Sequence, residues 1–104
     1  MIVVVGRVRT DAERRASLIE LGQKVAAASR AEAGCISYRL YQDTESADEL
    51  VFIEEWESRE ALERHFATAH IAAFMSGVGT ALVAPPDVKF HDIASSRDLT
   101  NVRG

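Results

Sequence analysis

The stretch "LVFIEEWESREALERHFATAH", residues 50–70, decides the fold. It opens as a strand, turns at Ser58, and continues as a helix that carries His65 and leads on to His70. Alternation along the strand puts Phe52, Glu54 and Trp56 on one face and Val51, Ile53 and Glu55 on the other. Both faces begin apolar, which marks a strand central in its sheet. One layer of helices covers only one of those faces, and a large bare apolar patch invites a partner. Ser58 stands where an N-cap belongs, and Glu60 sits in the first helical turn, where the dipole favours an acid.

Upstream, "IVVVGRVR" at 2–9 is rich in β-branched residues and reads as a strand. Thr10-Asp11-Ala12-Glu13 has the form of a capping box, with the Thr10 hydroxyl expected to cap the helix that follows. That helix is expected to run to about Arg30 or Ala33, with Leu18, Leu21, Gly22, Val25, Ala28 and Ser29 along one face. Gly34 ends it. "CISYRLYQD" (35–43) is a second strand, and "TESAD" (44–48) is short enough for a hairpin into the third strand at 49–57. After the helix "REALERHFA", Thr68 caps a further helical segment within "AHIAAFMSGVGTALV". Pro85-Pro86 close all helical options. A fourth strand, "DVKFHDIAS", covers 87–95, so residues 1–95 form a single domain and 96–104 a polar tail.

The order β-α-β-β-α-β with right-handed crossovers places both helical connections on one face of an antiparallel sheet. The expected class is α+β, ferredoxin-like, with strand order 4-1-3-2. Strands 1 and 3 are then central, and they are the two that are apolar at both parities, Ile2 and Val4 opposing Val3 and Val5. Two copies joining through the open sheet face give a homodimer.

A net charge of −4 with dispersed basic residues excludes a nucleic-acid binder, which needs a basic face. The lone Cys35 allows no intrachain disulfide and reads as a small core residue. The N-terminal apolar run is too short for a signal peptide or membrane span, so the expectation is a soluble cytoplasmic protein with no membrane partner.

Glu54 shares a face with Phe52 and Trp56, so it needs either water or a donor such as a histidine. Leu62 and Phe66 read as core-facing, with His65 bordering that stripe. Histidine is the side-chain type that changes charge near neutral pH, so His65 is a candidate general base or donor to a phenolic substrate. The bland reading is a packed histidine with one hydrogen bond, and His70 reads as capping the junction of two helical segments. His65 and His70 are five residues apart, off the spacing that stacks two ligands on one helix face, and no third ligand is visible, so no metal is expected. "SGVGT" (76–80) follows a helix rather than a strand and is no phosphate loop.

Four segments, "GCISYRLYQD", "LVFIEEWES", "REALERHFATAHIAAF" and "VKFHDI", together resemble the antibiotic biosynthesis monooxygenase family over about residues 2–93. The most specific part is E-x-W-x-S followed by A-L-x-x-H, carried by Glu54, Trp56, Ser58, Ala61, Leu62 and His65. The resemblance implies a dimeric α+β barrel and oxidation of a small quinol or phenol by O₂ without metal, flavin or haem. It implies Trp56 as a pocket wall, His65 as the catalytic polar group and Glu54 as its orienting partner. Tyr38, Phe52, Phe66, Phe74 and His70 complete the candidate substrate lining. The antibiotic-tailoring branch carries asparagine where Phe52 stands and tyrosine where Leu62 stands, so a polyketide substrate is not implied. The haem-degrading branch differs at the positions of His65, Met75 and Arg7, which argues against haem. Alternatives on the same fold are a non-enzymatic module that binds small aromatics, and an isomerase or lyase with His65 as base.

Overall fold

The computed structural model describes residues 1–101 and contains, in order, β1 (Ile2–Arg9), α1 (Arg15–Arg30), β2 (Cys35–Gln42), β3 (Glu49–Trp56), α2 (Arg59–Phe66), α3 (Ala69–Val78) and β4 (Asp87–Asp92). The strands form one antiparallel sheet in the order β2-β3-β1-β4, the order expected from the succession of elements. β1 and β3 pair along their whole length, from Ile2 against Trp56 to Arg9 against Glu49. Ile2, Val4 and Val8 of β1 and Leu50, Phe52 and Trp56 of β3 face the helices and build the core with Leu18, Val25 and Leu62.

The opposite parity lies bare. Val3, Val5 and Val51 are half-buried, and Ile53 and Tyr41 are exposed. Together they form an apolar stripe down the middle of the sheet's open face. Charged groups border it, among them Arg7, Arg39 and the Lys89–Asp87 ion pair. A hollow of about 620 Å³ lies at one end, against Val5, Arg7, Tyr41, Val51, Ile53 and Asp87.

Three local expectations are corrected. The Thr10 hydroxyl does not cap α1; it is buried and donates to the Ala81 carbonyl oxygen at 2.7 Å, tying β1 to the segment after α3. The turn into the helix is made instead by Asp11, whose carboxylate accepts from the Arg14 N–H at 2.9 Å, and helical residues begin only at Arg15. β4 stops at Asp92, which pairs with Ile2, the first residue of β1, and one further bond follows, from the Ile93 N–H to the Met1 carbonyl oxygen at 3.0 Å. The polar tail contains a short 3-10 helix at Leu99–Asn101, and residues 102–104 of it lie outside the described residues.

Two glycines set close approaches. A Cβ at Gly22 would meet the Leu40 side chain at 2.5 Å and the Phe52 ring at 3.1 Å, so its absence lets α1 lie close on the sheet. Gly34 adopts φ 86°, and a Cβ there would stand 2.5 Å from that of Ala61. That glycine presses the turn before β2 against α2. No helix among the described residues is long and apolar enough to cross a membrane.

Candidate active site

The chemistry gathers where β3 ends and α2 begins. Ser58 caps α2 as expected, its hydroxyl accepting from the Ala61 N–H at 3.1 Å. The helix buries Ala61, Leu62 and His65. Phe66 is 53 % exposed and His65 only 1 %, so the helix is phased with the imidazole inward and the phenyl outward, the reverse of the expected pair. The physical reason is position: Phe66 is the last residue of α2, and its ring leans over the β4 edge, 6.1 Å from that of Phe90.

His65 lies in an aromatic box. Its ring centroid is 4.6 Å from that of Trp56, at 40° between planes, and 5.6 Å from that of Tyr38. Trp56 and Tyr38 are themselves fully buried and meet edge to face at 6.4 Å. Phe52 continues the box, 6.3 Å from Tyr38 and 5.4 Å from Phe74. The aromatic residues expected in the lining therefore all gather around the strand corner, with Phe66 at its exposed edge.

Glu54 is not the partner of His65. Its carboxylate accepts from the Trp56 indole N–H at 3.0 Å, an i, i+2 contact on the helix-covered face of β3. Tyr38, opposite it across the β2–β3 ladder, presents its hydroxyl to the same group. Burial pushes Glu54 up to about 7, against the lowering effect of those two donors. Burial and the nearby Glu54 charge likewise raise Tyr38 far above the ordinary phenol range, keeping it a neutral O–H. Cys35 is pushed up to about 11, first by burial and then by the charges of Glu32 and Glu54, which leaves an inert thiol.

The partner of His65 is Glu32, which sequence reasoning missed. Oε2 of Glu32 lies 2.7 Å from His65 Nδ1 and also 2.7 Å from His70 Nε2. Ionised carboxylate oxygen only accepts, so both imidazole nitrogens facing it carry hydrogen. With Nδ1 as the donor, a neutral His65 ring carries its lone pair on Nε2, the nitrogen that faces away from Glu32. The arrangement of carboxylate, Nδ1–H and unprotonated Nε2 is that of an oriented general base.

His70 does not cap the helix junction. Thr68 does, its hydroxyl accepting from the Ile71 N–H at 3.3 Å and donating to the His65 carbonyl at 2.7 Å. The two histidines sit on different helices, so their spacing along the chain says nothing about whether they meet. Glu32 stands in the turn between α1 and β2. That turn is brought to the corner because β2 begins where β3 ends: Cys35 pairs with Trp56, and the Glu57 N–H donates to the Gly34 carbonyl at 2.8 Å. The expected strand order already implied this neighbourhood, and the residues just before Cys35 were the signal available.

Access is limited. A hollow of about 280 Å³ is bounded by Ile2, Leu62, Phe66 and Phe90 among others, and the Phe66 ring that walls it lies 5.7 Å from that of His65. Neither this hollow nor the one on the open face is lined by His65, Trp56, Glu54 or Tyr38.

A ferredoxin-like sheet with an aromatic box and an oriented histidine at the β3–α2 corner defines a class of small α+β proteins, and comparison with known proteins narrows it. The sequence profile described as antibiotic biosynthesis monooxygenase matches residues 1–77, and the chain belongs to that family. It is 34% identical over 98 residues to an uncharacterized protein of Synechocystis, covering 94% of this chain and 67% of that one. It is 31% identical over 88 residues to YcnE of Bacillus subtilis, provisionally named a monooxygenase, covering 85% of this chain and 93% of that one. The solved structure of Rv0793 from Mycobacterium tuberculosis superposes with a TM-score of 0.86 at 30% identity, covering 93% of this chain and 98% of that one.

Proposed function

We propose that this protein is a cofactor-independent monooxygenase that oxidises a small quinol or phenol with O₂. The observation that carries the reading is the 2.7 Å bond from Glu32 to His65 Nδ1 inside an aromatic box. Nε2 of His65 takes the phenolic proton, and the resulting electron-rich ring reduces O₂. One oxygen atom stays on the substrate, and the other leaves as water with the two hydrogens lost from it. Trp56 and Tyr38 supply the flat apolar walls, and Glu32 stabilises the imidazolium as it forms. Substrate approaches through the hollow bounded by Leu62 and Phe90, with Phe66 turning aside to uncover His65. Two copies associate through the stripe of Val3, Val5, Val51, Ile53 and Tyr41, whose apolar width is what an open sheet face presents to its own twin.

The test is oxygen uptake with a dihydroxynaphthalene- or menadiol-type substrate, measured above autoxidation. Uptake by the wild-type protein that disappears in His65→Ala supports the proposal. Equal rates for the two proteins reject it, and saturable binding of the aromatic without uptake would mark a binding module instead.

A further inference from the structure

Glu32, His65 and His70 come from the α1–β2 turn, α2 and α3, and one ligand atom from each lies within 4.8 Å of the other two. Two imidazoles and a carboxylate are the donor set of open zinc sites and of related first-row metal sites, which leave further positions to water or a ligand. We propose that these three residues form a binding site for a zinc-class divalent cation. Ligand bonds of 2.0–2.2 Å at a tetrahedral metal set neighbouring donors about 3.3–3.6 Å apart. Each Glu32–His contact of 2.7 Å therefore opens by less than about an ångström to admit the ion. His70 is about a quarter exposed and Glu32 less, so the ion reaches the cluster from the His70 side while the buried His65 closes the back.

The cation changes the state of His65. A metal on Nδ1 displaces the proton held there, and a neutral imidazole then carries it on Nε2. The lone pair that faces away from Glu32 in the metal-free protein is lost, with no proton leaving the ring. On the reading of His65 as the base, and on that reading alone, an occupied site is a silenced enzyme. His65 would then serve either the cation or the substrate.

Calorimetric titration of the metal-free full chain with Zn²⁺, and visible absorption with Co²⁺ as a spectroscopic stand-in, test the site without reference to activity. One ion per chain is expected, with a Co²⁺ spectrum of low coordination number. Binding should weaken by at least about 10-fold in both Glu32→Gln and His70→Ala, by the loss of one ligand. His91→Ala, on β4, should leave binding unchanged. Long-range ¹H–¹⁵N spectra should show the His65 proton on Nδ1 without metal and on Nε2 with Zn²⁺. Absence of binding overturns the proposal, as does equal affinity in Glu32→Gln and His70→Ala variants whose circular dichroism shows an intact fold. A His65 proton that stays on Nδ1 in the loaded protein overturns it too. Should the chain bind Zn²⁺ as described yet consume no oxygen with any quinol, the cation site stands and the catalytic reading alone fails.

Discussion

Glu32 holds His65 at 2.7 Å across 33 residues of sequence, and it holds His70 with the same oxygen atom. The carboxylate is thus shared between a fully buried imidazole and one open to solvent.

The first consequence concerns turnover. Replacing His65 by alanine should lower kcat for quinol oxidation by about 10²-fold or more, the usual contribution of a positioned base. Glu32→Gln should lower it by about 10-fold or more while leaving KM near its wild-type value, because an amide in place of the carboxylate no longer dictates which nitrogen of His65 bears the proton. Steady-state oxygen consumption reads both numbers. Wild-type kcat in Glu32→Gln would dismiss the carboxylate from the chemistry.

Glu54 gives the fold a defined pH dependence. Its ordinary value of 4.5 rises to about 7 in the folded chain, chiefly through burial. Below pH 4.5 the carboxyl is neutral folded or unfolded and stability is unaffected. From there to about pH 7 the unfolded chain ionises while the folded one keeps its proton, so stability falls as pH rises and then levels off. The full effect is on the order of 3 kcal/mol, at about 1.4 kcal/mol for each pH unit. Urea midpoints across that range should show this slope in the wild-type protein and a flatter one in Glu54→Gln, whose amide oxygen still accepts from Trp56. Parallel slopes in the two proteins would assign the dependence to other groups.

Gly34→Ala should destabilise the protein by about 1–3 kcal/mol, combining a positive φ with a methyl pressed on Ala61. The same change shifts the turn that carries Glu32, so oxygen uptake should fall together with the melting temperature. A neutral effect on both would show that the turn relaxes freely.

Ile53→Asp places a charge in the centre of the open sheet face and should convert a dimer into a monomer in analytical ultracentrifugation. A few large side chains buried in the proposed contact would contribute roughly 1.5–3 kcal/mol each, so that one charge placed there decides the equilibrium. A wild-type chain that sediments as a monomer at micromolar concentration would remove the need for a partner.

The fold was legible in the sequence because its signals are local or periodic: alternation in β1 and β3, the caps at Ser58 and Thr68, Gly34 and the double proline. The strand order followed from the β-α-β-β-α-β succession with right-handed crossovers, and the strands apolar at both parities agreed with it. The site was half legible. Trp56, Glu54, Tyr38 and His65 announce themselves as polar or aromatic residues at one corner, but what pairs with what is a tertiary matter. Glu32 sits among alanines in a turn with no pattern of its own, and only the hairpin geometry of β2 and β3 carries it to His65. Thr10 misled for a similar reason. Its hydroxyl fits a local capping motif, yet a buried carbonyl 71 residues away claims it.

Thr68 spends one small hydroxyl on both sides of the break between α2 and α3. The elbow it fastens sets how far His70 stands from His65, as a rivet sets the gape of a pair of tongs. Loosening it, as Thr68→Gly would, should therefore be felt at the grip on Glu32 before it is felt in the core.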